Sequence, residues 1–246
     1  MVSFAAEPVV SLGFFSVTNS FLDTLLVDAV IIGLILTVKN KLNLIPGKLQ
    51  TIVETILQEF YNITYSVAGE NTAKIFPFFM TFFIFILLAN WSGLIPGISV
   101  VGLKEDGKIV PFLRAATSDF NVTLALALVS IFATHFLSIN VLGIKEYLSK
   151  YFSLNPLNLY IGILELIGEF TKIVSLSFRL FGNIFSGEVV LMTISTIFAF
   201  VFPLPFLLLE VVVGLVQALV FSMLTMAFMA VLMTPHETHA KEVSLK

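Results

Sequence analysis

Residues 157–201 form one apolar stretch without a polar break, closed off by Pro156 before it and Pro203 after it. As a single straight helix at about 1.5 Å per residue it would be about 65 Å long. That is about twice the about 30 Å of hydrocarbon that a perpendicular crossing of a bilayer requires, so such a helix must be bent or steeply inclined. The composition agrees on the solvent. Of 246 residues 58% are hydrophobic and 12% charged, with a mean hydropathy of +1.02, whereas water-soluble chains carry about 25% charged residues. The 26 phenylalanines against 14 glycines, in long apolar runs with short polar breaks, suit a helical bundle better than a barrel of alternating strands. The fold class is therefore all-α integral membrane protein, a single membrane domain over residues 1–246. The absence of cysteine removes disulfides, thiolate catalysis and the usual zinc or iron–sulfur sites. No basic patch points to nucleic acid, and nothing calls for a cofactor.

Five regions are long and apolar enough to cross: residues 21–38, 75–95, 120–143, 157–201 and 206–233, each near or above the about 20 residues a span needs. Residues 1–20 lack the basic start of a signal peptide and carry Glu7, so they read as an extramembrane segment of the mature chain. Residues 49–65 differ from the spans. Ile52, Ile56, Phe60 and Ile63 share one stripe while Gln50, Glu54, Gln58 and Asn62 fall elsewhere, the pattern of a helix lying in the membrane interface. Trp91 stands where an interfacial anchor belongs, Thr117 and Ser118 can cap the third span, and Pro203 with Pro205 predicts a turn. Residues 235–246 are a polar tail. With the amino terminus outside and the carboxy terminus inside, Lys39, Lys41, Lys48, Lys74, Lys145, Lys150, Lys241 and Lys246 are cytoplasmic, leaving Lys104, Lys108 and Arg114 outside; the reverse orientation violates the positive-inside rule.

The two long segments hold Glu165, Glu169, Lys172, Arg179, Glu188 and Glu210, although a charge at the bilayer centre costs about 2.5 to 3.5 kcal/mol on insertion scales. At about 100° per residue, Glu165, Glu169, Lys172, Ser175, Arg179, Asn183 and Ser186 fall within a sector of about 120°. Glu188 lies about 180° from Arg179, and Glu210, Gly214 and Gln217 make a second stripe on the last helix. Glu165, Glu169 and Lys172 lie about 10 to 21 Å to the cytoplasmic side of Arg179, and Glu188 about 13 Å to the outer side. Carboxylates in two groups, with a permanently charged guanidinium between them, describe two half-paths rather than one pore. The plainer alternative is helix bridging: Glu165, Glu169 and Lys172 also suit an internal ion pair, and Asn183 and Gln217 a helix contact. Arg179 has no acid three or four residues away to neutralise it.

Other motifs lead nowhere. Residues 102–108 read G-x-x-x-x-G-K, but Ile109 replaces the Ser or Thr of a phosphate-binding loop, and the segment reads as an extramembrane turn. His236 and His239 are spaced i, i+3 rather than i, i+4, so no metal site is expected. His135, within the third span, is open to two readings, a packing residue or a relay. No nucleophile–base–acid constellation is present, so no catalytic site is expected.

The run from Ser175 to Glu188, S-L-S-F-R-L-F-G-N-I-F-S-G-E, resembles the signature of subunit a of F-type ATP synthases. Glu210 and Gln217 on the final helix, residues 90–97 (N-W-S-G-L-I-P-G) and residues 119–123 (D-F-N-V-T) extend the resemblance, which weakens before about residue 75. The resemblance implies a stator subunit in a bacterial plasma membrane, clasping a rotating ring of c subunits, with subunit b of the peripheral stalk and other synthase subunits as partners. The two long helices would follow the ring surface. It implies that Arg179 faces the rotor carboxylates with Asn183 and Gln217 beside it, that Glu188 and Glu210 line the outer access path, and that Glu165, Ser175 and Lys172 belong to the cytoplasmic one. Glu169 joins them on the stripe. Position 210 is one where the family alternates between His and an acid. The ion would be a proton, or sodium. The competing class is a secondary transporter whose Arg179 binds a small anion, against which stands the lack of an internal repeat.

Overall fold

The computed structural model describes residues 7–12, 15–39, 46–95, 102–105, 108–151, 156–197 and 202–234. Its helices are α1 (Asn19–Lys39), α2 (Lys48–Ala68), α3 (Thr72–Ser92), α4 (Phe120–Leu142), α5 (Ile144–Tyr151), α6 (Pro156–Ile197) and α7 (Pro203–Leu232). Two short antiparallel hairpins accompany them, β1 (Pro8–Leu12) with β2 (Phe15–Thr18), and β3 (Gly102–Glu105) with β4 (Lys108–Pro111). Five helical stretches are long and apolar enough to span a membrane, and the chain is a multi-pass membrane protein.

Cross-helix partners fix the polarity of the bundle. Ser92 donates to Asp23, Asn90 donates to the Gly214 carbonyl, Thr123 meets Ser177, and Ser138 donates to the Leu232 carbonyl. Thus α3 and α6 run one way, and α1, α4 and α7 the other. One end of the bundle gathers the starts of α1, α4 and α7 and the finish of α3. The other gathers the starts of α3 and α6 and the finishes of α1, α4 and α7. At the first end stand both hairpins and Arg114; at the second stand Lys39, Lys74 and Lys145.

Lipid offers no hydrophobic drive between helices, so packing and hydrogen bonds hold them. The core joins Ile75, Phe79, Phe83 and Ile86 of α3 to Phe221, Met226 and Met229 of α7 and to Leu176 and Leu180 of α6. Hydroxyls tie the rest: Ser130 and Thr225 lie 2.9 Å apart across α4 and α7. Large apolar side chains face outward instead, among them Ile32, Ile35, Phe132, Phe136, Phe170, Leu208 and Val212, as lipid or a membrane-embedded partner requires.

The structure adds detail to several expectations and changes others. Residues 49–65 are part of the longer α2, which Gly69, at φ 54°, turns back along α3; that left-handed backbone favours glycine. Phe60 packs on Phe79 and Phe83 with ring centroids 5.6 and 5.0 Å away, while Ile52 and Ile56 stay exposed. The amino-terminal segment ends at Thr18 and holds a hairpin. Thr117 and Ser118 sit in a single helical turn before α4, and its cap is Asp119, whose carboxylate accepts from the Asn121 amide at 2.9 Å. Pro203 does not merely turn the chain: it opens α7, where a missing N–H costs nothing. Trp91 is tied down, its indole N–H donating to the Val211 carbonyl. The G-x-x-x-x-G-K segment is the β3–β4 hairpin, with no helix opening after it to hold a phosphate. His236, His239, Lys41 and the tail at 235–246 lie outside the described residues.

Candidate functional site

Leu176, Leu180 and Ile184 are buried at a spacing of four, so one face of α6 packs inward and leaves the rest outside. The polar stripe lies along the edge of that buried face and is divided by it. Ser175, Arg179, Asn183 and Ser186 are exposed, Glu165 and Lys172 are half-buried, and Glu169 is buried. Arg179 points out of the subunit. Its Nη2 donates to Ser175 Oγ at 3.3 Å, and among the described residues it makes no ion pair.

One turn on, Asn183 Nδ2 donates to Gln217 Oε1 at 2.7 Å. Gln217 is buried on α7, and its own amide nitrogen has no hydrogen-bond partner among the described residues. Gly214, one turn earlier on α7, lets Asn90 and Trp91 of α3 approach; a Cβ there would lie 3.2 Å from that of Asn90. Thr117 Oγ1 then donates to the side-chain Oδ1 of Asn90 at 2.7 Å. Amide, small residue and hydroxyl thus run from the Arg179 level toward the first end.

There the second polar group begins. Glu188 accepts from Arg114 at 3.3 Å to Nη2 and 3.4 Å to Nε. Glu210, 6% exposed, is pressed against Gly187, where any Cβ would collide with its carboxyl group. Glu188, Glu210, Arg114, Asn90 and Ile184 are among the residues lining a cavity of about 70 Å³. One water needs about 10 to 15 Å³ of such space, so it has room for several.

The third group lies on the far side of Arg179. Lys172 Nζ donates to Glu169 Oε1 at 2.7 Å and stands 4.6 Å above the Phe228 ring. Glu169 Oε2 is 3.7 Å from His135 Nε2, and His135 Nδ1 is 2.9 Å from Tyr147 Oη. Glu165, one turn earlier on α6, makes no hydrogen bond or ion pair among the described residues.

The arrangement therefore brings the sequence candidates into three sets: Glu188 with Glu210, Asn183 with Gln217 beside Arg179 and Ser175, and Glu169 with Lys172. Arg114, Asn90 and Tyr147 join them without having been singled out, and His135 moves from packing candidate to member of a polar chain. The Arg114–Glu188 pair spans 74 positions, so no local periodicity marks it. The excess of buried polar groups in apolar segments was the available signal for Asn90.

A family described as ATP synthase A chain matches residues 21–230. ATP synthase subunit a of Moorella thermoacetica is 31% identical over 219 residues, 89% of this chain and 92% of that protein. ATP synthase subunit a of Legionella pneumophila subsp. pneumophila is 32% identical over 244 residues, 98% of each chain.

Proposed function

Because the chain belongs to the ATP synthase subunit a family, we propose that it is the stator ion-channel subunit of the membrane sector, with two offset half-channels that load and unload the carboxylates of a c ring. It has no catalytic site of its own. Its partners are the c ring, subunit b of the peripheral stalk and the other synthase subunits. The membrane is a bacterial plasma membrane, with the amino terminus outside; the lysines gathered at the second end of the bundle support a cytoplasmic side there.

One observation carries the reading. Arg179 is exposed on the outer face of α6, with no acid partner among the described residues, between a Glu188–Glu210 group and a Glu169–Lys172 group. An ion enters past Glu188 and Glu210 and neutralises a ring carboxylate. The ring carries it round through lipid, and it leaves by the side of Glu169, Lys172 and Glu165. An ionised ring carboxylate facing Arg179 is stabilised, since two unit charges at about 4 Å attract by about 4 kcal/mol at an effective dielectric of about 20, against about 1 kcal/mol in water. That attraction favours release of the bound ion ahead of Arg179, and the fixed charge blocks leakage between the paths. Asn183 and Gln217 hold the two long helices together there and can order water. Each charge moved through the potential supplies about 2.3 kcal/mol per 100 mV, which ring rotation passes to ATP synthesis.

The test is Arg179→Ala in the whole complex, reconstituted in vesicles. ATP synthesis driven by an imposed gradient should vanish while the complex still assembles; synthesis retained at near wild-type rate would overturn the reading.

A further inference from the structure

We propose that Glu169, His135 and Tyr147 form a proton wire on the cytoplasmic side of Arg179, running to the α5 end, and that the ion released there is a proton rather than sodium. The inference rests on the stator reading and adds to it two residues and the identity of the ion.

Three helices meet at the wire. Glu169 comes from α6, His135 from α4 and Tyr147 from α5, with separations of 3.7 Å between Oε2 and Nε2 and 2.9 Å between Nδ1 and Oη. Glu169 is 6% exposed, and its Oε2 accepts no hydrogen bond among the described residues; that oxygen is the one nearest the imidazole. The 3.7 Å gap is longer than a hydrogen bond, and contacts that transfer protons are often long in a resting structure and tighten in the working one. The α5 helix packs closely on α6. The Tyr151 backbone sits against Gly162 so closely that a Cβ at 162 would collide with its carbonyl. The rings of Tyr147 and Tyr151 lie 5.3 Å apart. Burial raises the Tyr147 phenol above its ordinary value, so it keeps its proton.

Neutral His135 with its proton on Nδ1 donates to the Tyr147 oxygen and turns the Nε2 lone pair to Glu169. A proton arriving on Oε2 of Glu169 moves to Nε2. The Nδ1 proton then passes to Tyr147 Oη as the phenol gives its own to water at the α5 end. One proton has entered and one has left. The Glu169 carboxylate is restored beside Lys172, and the ring turns over to reset its tautomer.

Sodium fits this route poorly. The Glu169 carboxylate already holds the Lys172 ammonium at 2.7 Å, and the next group along is an imidazole, a poor ligand for a hard cation that prefers oxygen. Besides Glu169 and Lys172, the titratable groups around His135 are Glu165 on α6 and Tyr147 and Tyr151 on α5.

The experiment uses the complete synthase in vesicles, with passive proton flux through the membrane sector measured while the pH on the α5 side is varied. His135→Gln should lower flux by about tenfold or more, toward the 10²–10⁴-fold range of a positioned proton-transfer group. Tyr147→Phe should lower it less, because water can replace a phenol. In His135→Ala, added imidazole should restore flux along a pH curve set by the imidazole itself, a response that a purely structural role would not give. Unchanged flux in both His135→Gln and Tyr147→Phe, a loss in His135→Ala that imidazole does not reverse, or wild-type flux carried by sodium would each overturn the wire. Arg179→Ala run in parallel separates the two readings: if it abolishes coupling while the His135 and Tyr147 variants behave normally, the wire alone fails.

Discussion

Asn183, exposed on α6, donates to Gln217, buried on α7, at 2.7 Å. The bond couples the helix that carries Arg179 to the helix that carries Glu210, one turn from the guanidinium. Interhelical hydrogen bonds in membranes average about 0.6 kcal/mol, so its contribution to stability is small and its contribution to position is the larger effect. A double-mutant cycle of Asn183→Leu and Gln217→Leu, read by thermal unfolding of the solubilised complex, should give a coupling of about 0.6 kcal/mol. Each single variant should lower ATP-driven pumping far more than it lowers the melting temperature. A coupling near zero would show that the two amides act independently.

Gly187 exists to leave room for a carboxylate. A methyl there must displace the Glu210 carboxyl group, which is the mobile end of a side chain, so the chain should still fold while the acid leaves its place in the cavity beside Glu188. Gly187→Ala is therefore expected to assemble normally and to lose most passive ion flux. Shortening the acid by one methylene in Gly187→Ala/Glu210→Asp should recover part of that flux. An intact flux in the single variant would mean that Glu210 need not stand where the structure has it.

Asp23 works as a clamp rather than as part of a path. Its buried Oδ2 accepts from Ser92 Oγ and from the Ala116 amide, both at 2.8 Å, joining α1, the finish of α3 and the turn before α4. Asp23→Ala leaves that buried amide without its acceptor, at a cost of about 1 to 3 kcal/mol. Asp23→Asn keeps an acceptor oxygen and should cost less. Thermal unfolding of both variants checks the order. If Asp23→Asn is the more damaging, the charge matters more than the hydrogen bonds.

Hydrophobic length and the cost of buried charge are local properties of a sequence, and what they govern was readable. The α6 helix, the polar stripe that carries Arg179 and the opposition of Glu188 to Arg179 around the helix follow from period and spacing, whereas the outward facing of Arg179 was only what the family resemblance implied. The stripe's division was not readable, because which of Glu169 and Ser175 turns inward depends on where α4 and α7 stand. The same holds for Arg114, which meets Glu188 across 74 positions, and for His135, whose partners come from α5 and α6. The eight-residue α5 passed as a polar break since Lys145, Glu146 and Lys150 conceal a short amphipathic turn. Asp119 displaced Thr117 and Ser118 as the α4 cap because those two residues had already been drawn into the preceding turn.

The account turns on what the outward face of Arg179 meets, and one cross-linking measurement reads it. Gly182 is exposed with open space where a side chain would go, whereas Ser177 is buried, and the chain has no cysteine to interfere. A thiol-anchored photocross-linker on Gly182→Cys in the assembled complex should join this subunit to the c ring, and the same reagent on Ser177→Cys should not. Cross-links from position 182 only to lipid or to the subunit's own helices, in a complex that still makes ATP, would contradict a guanidinium that faces the rotor.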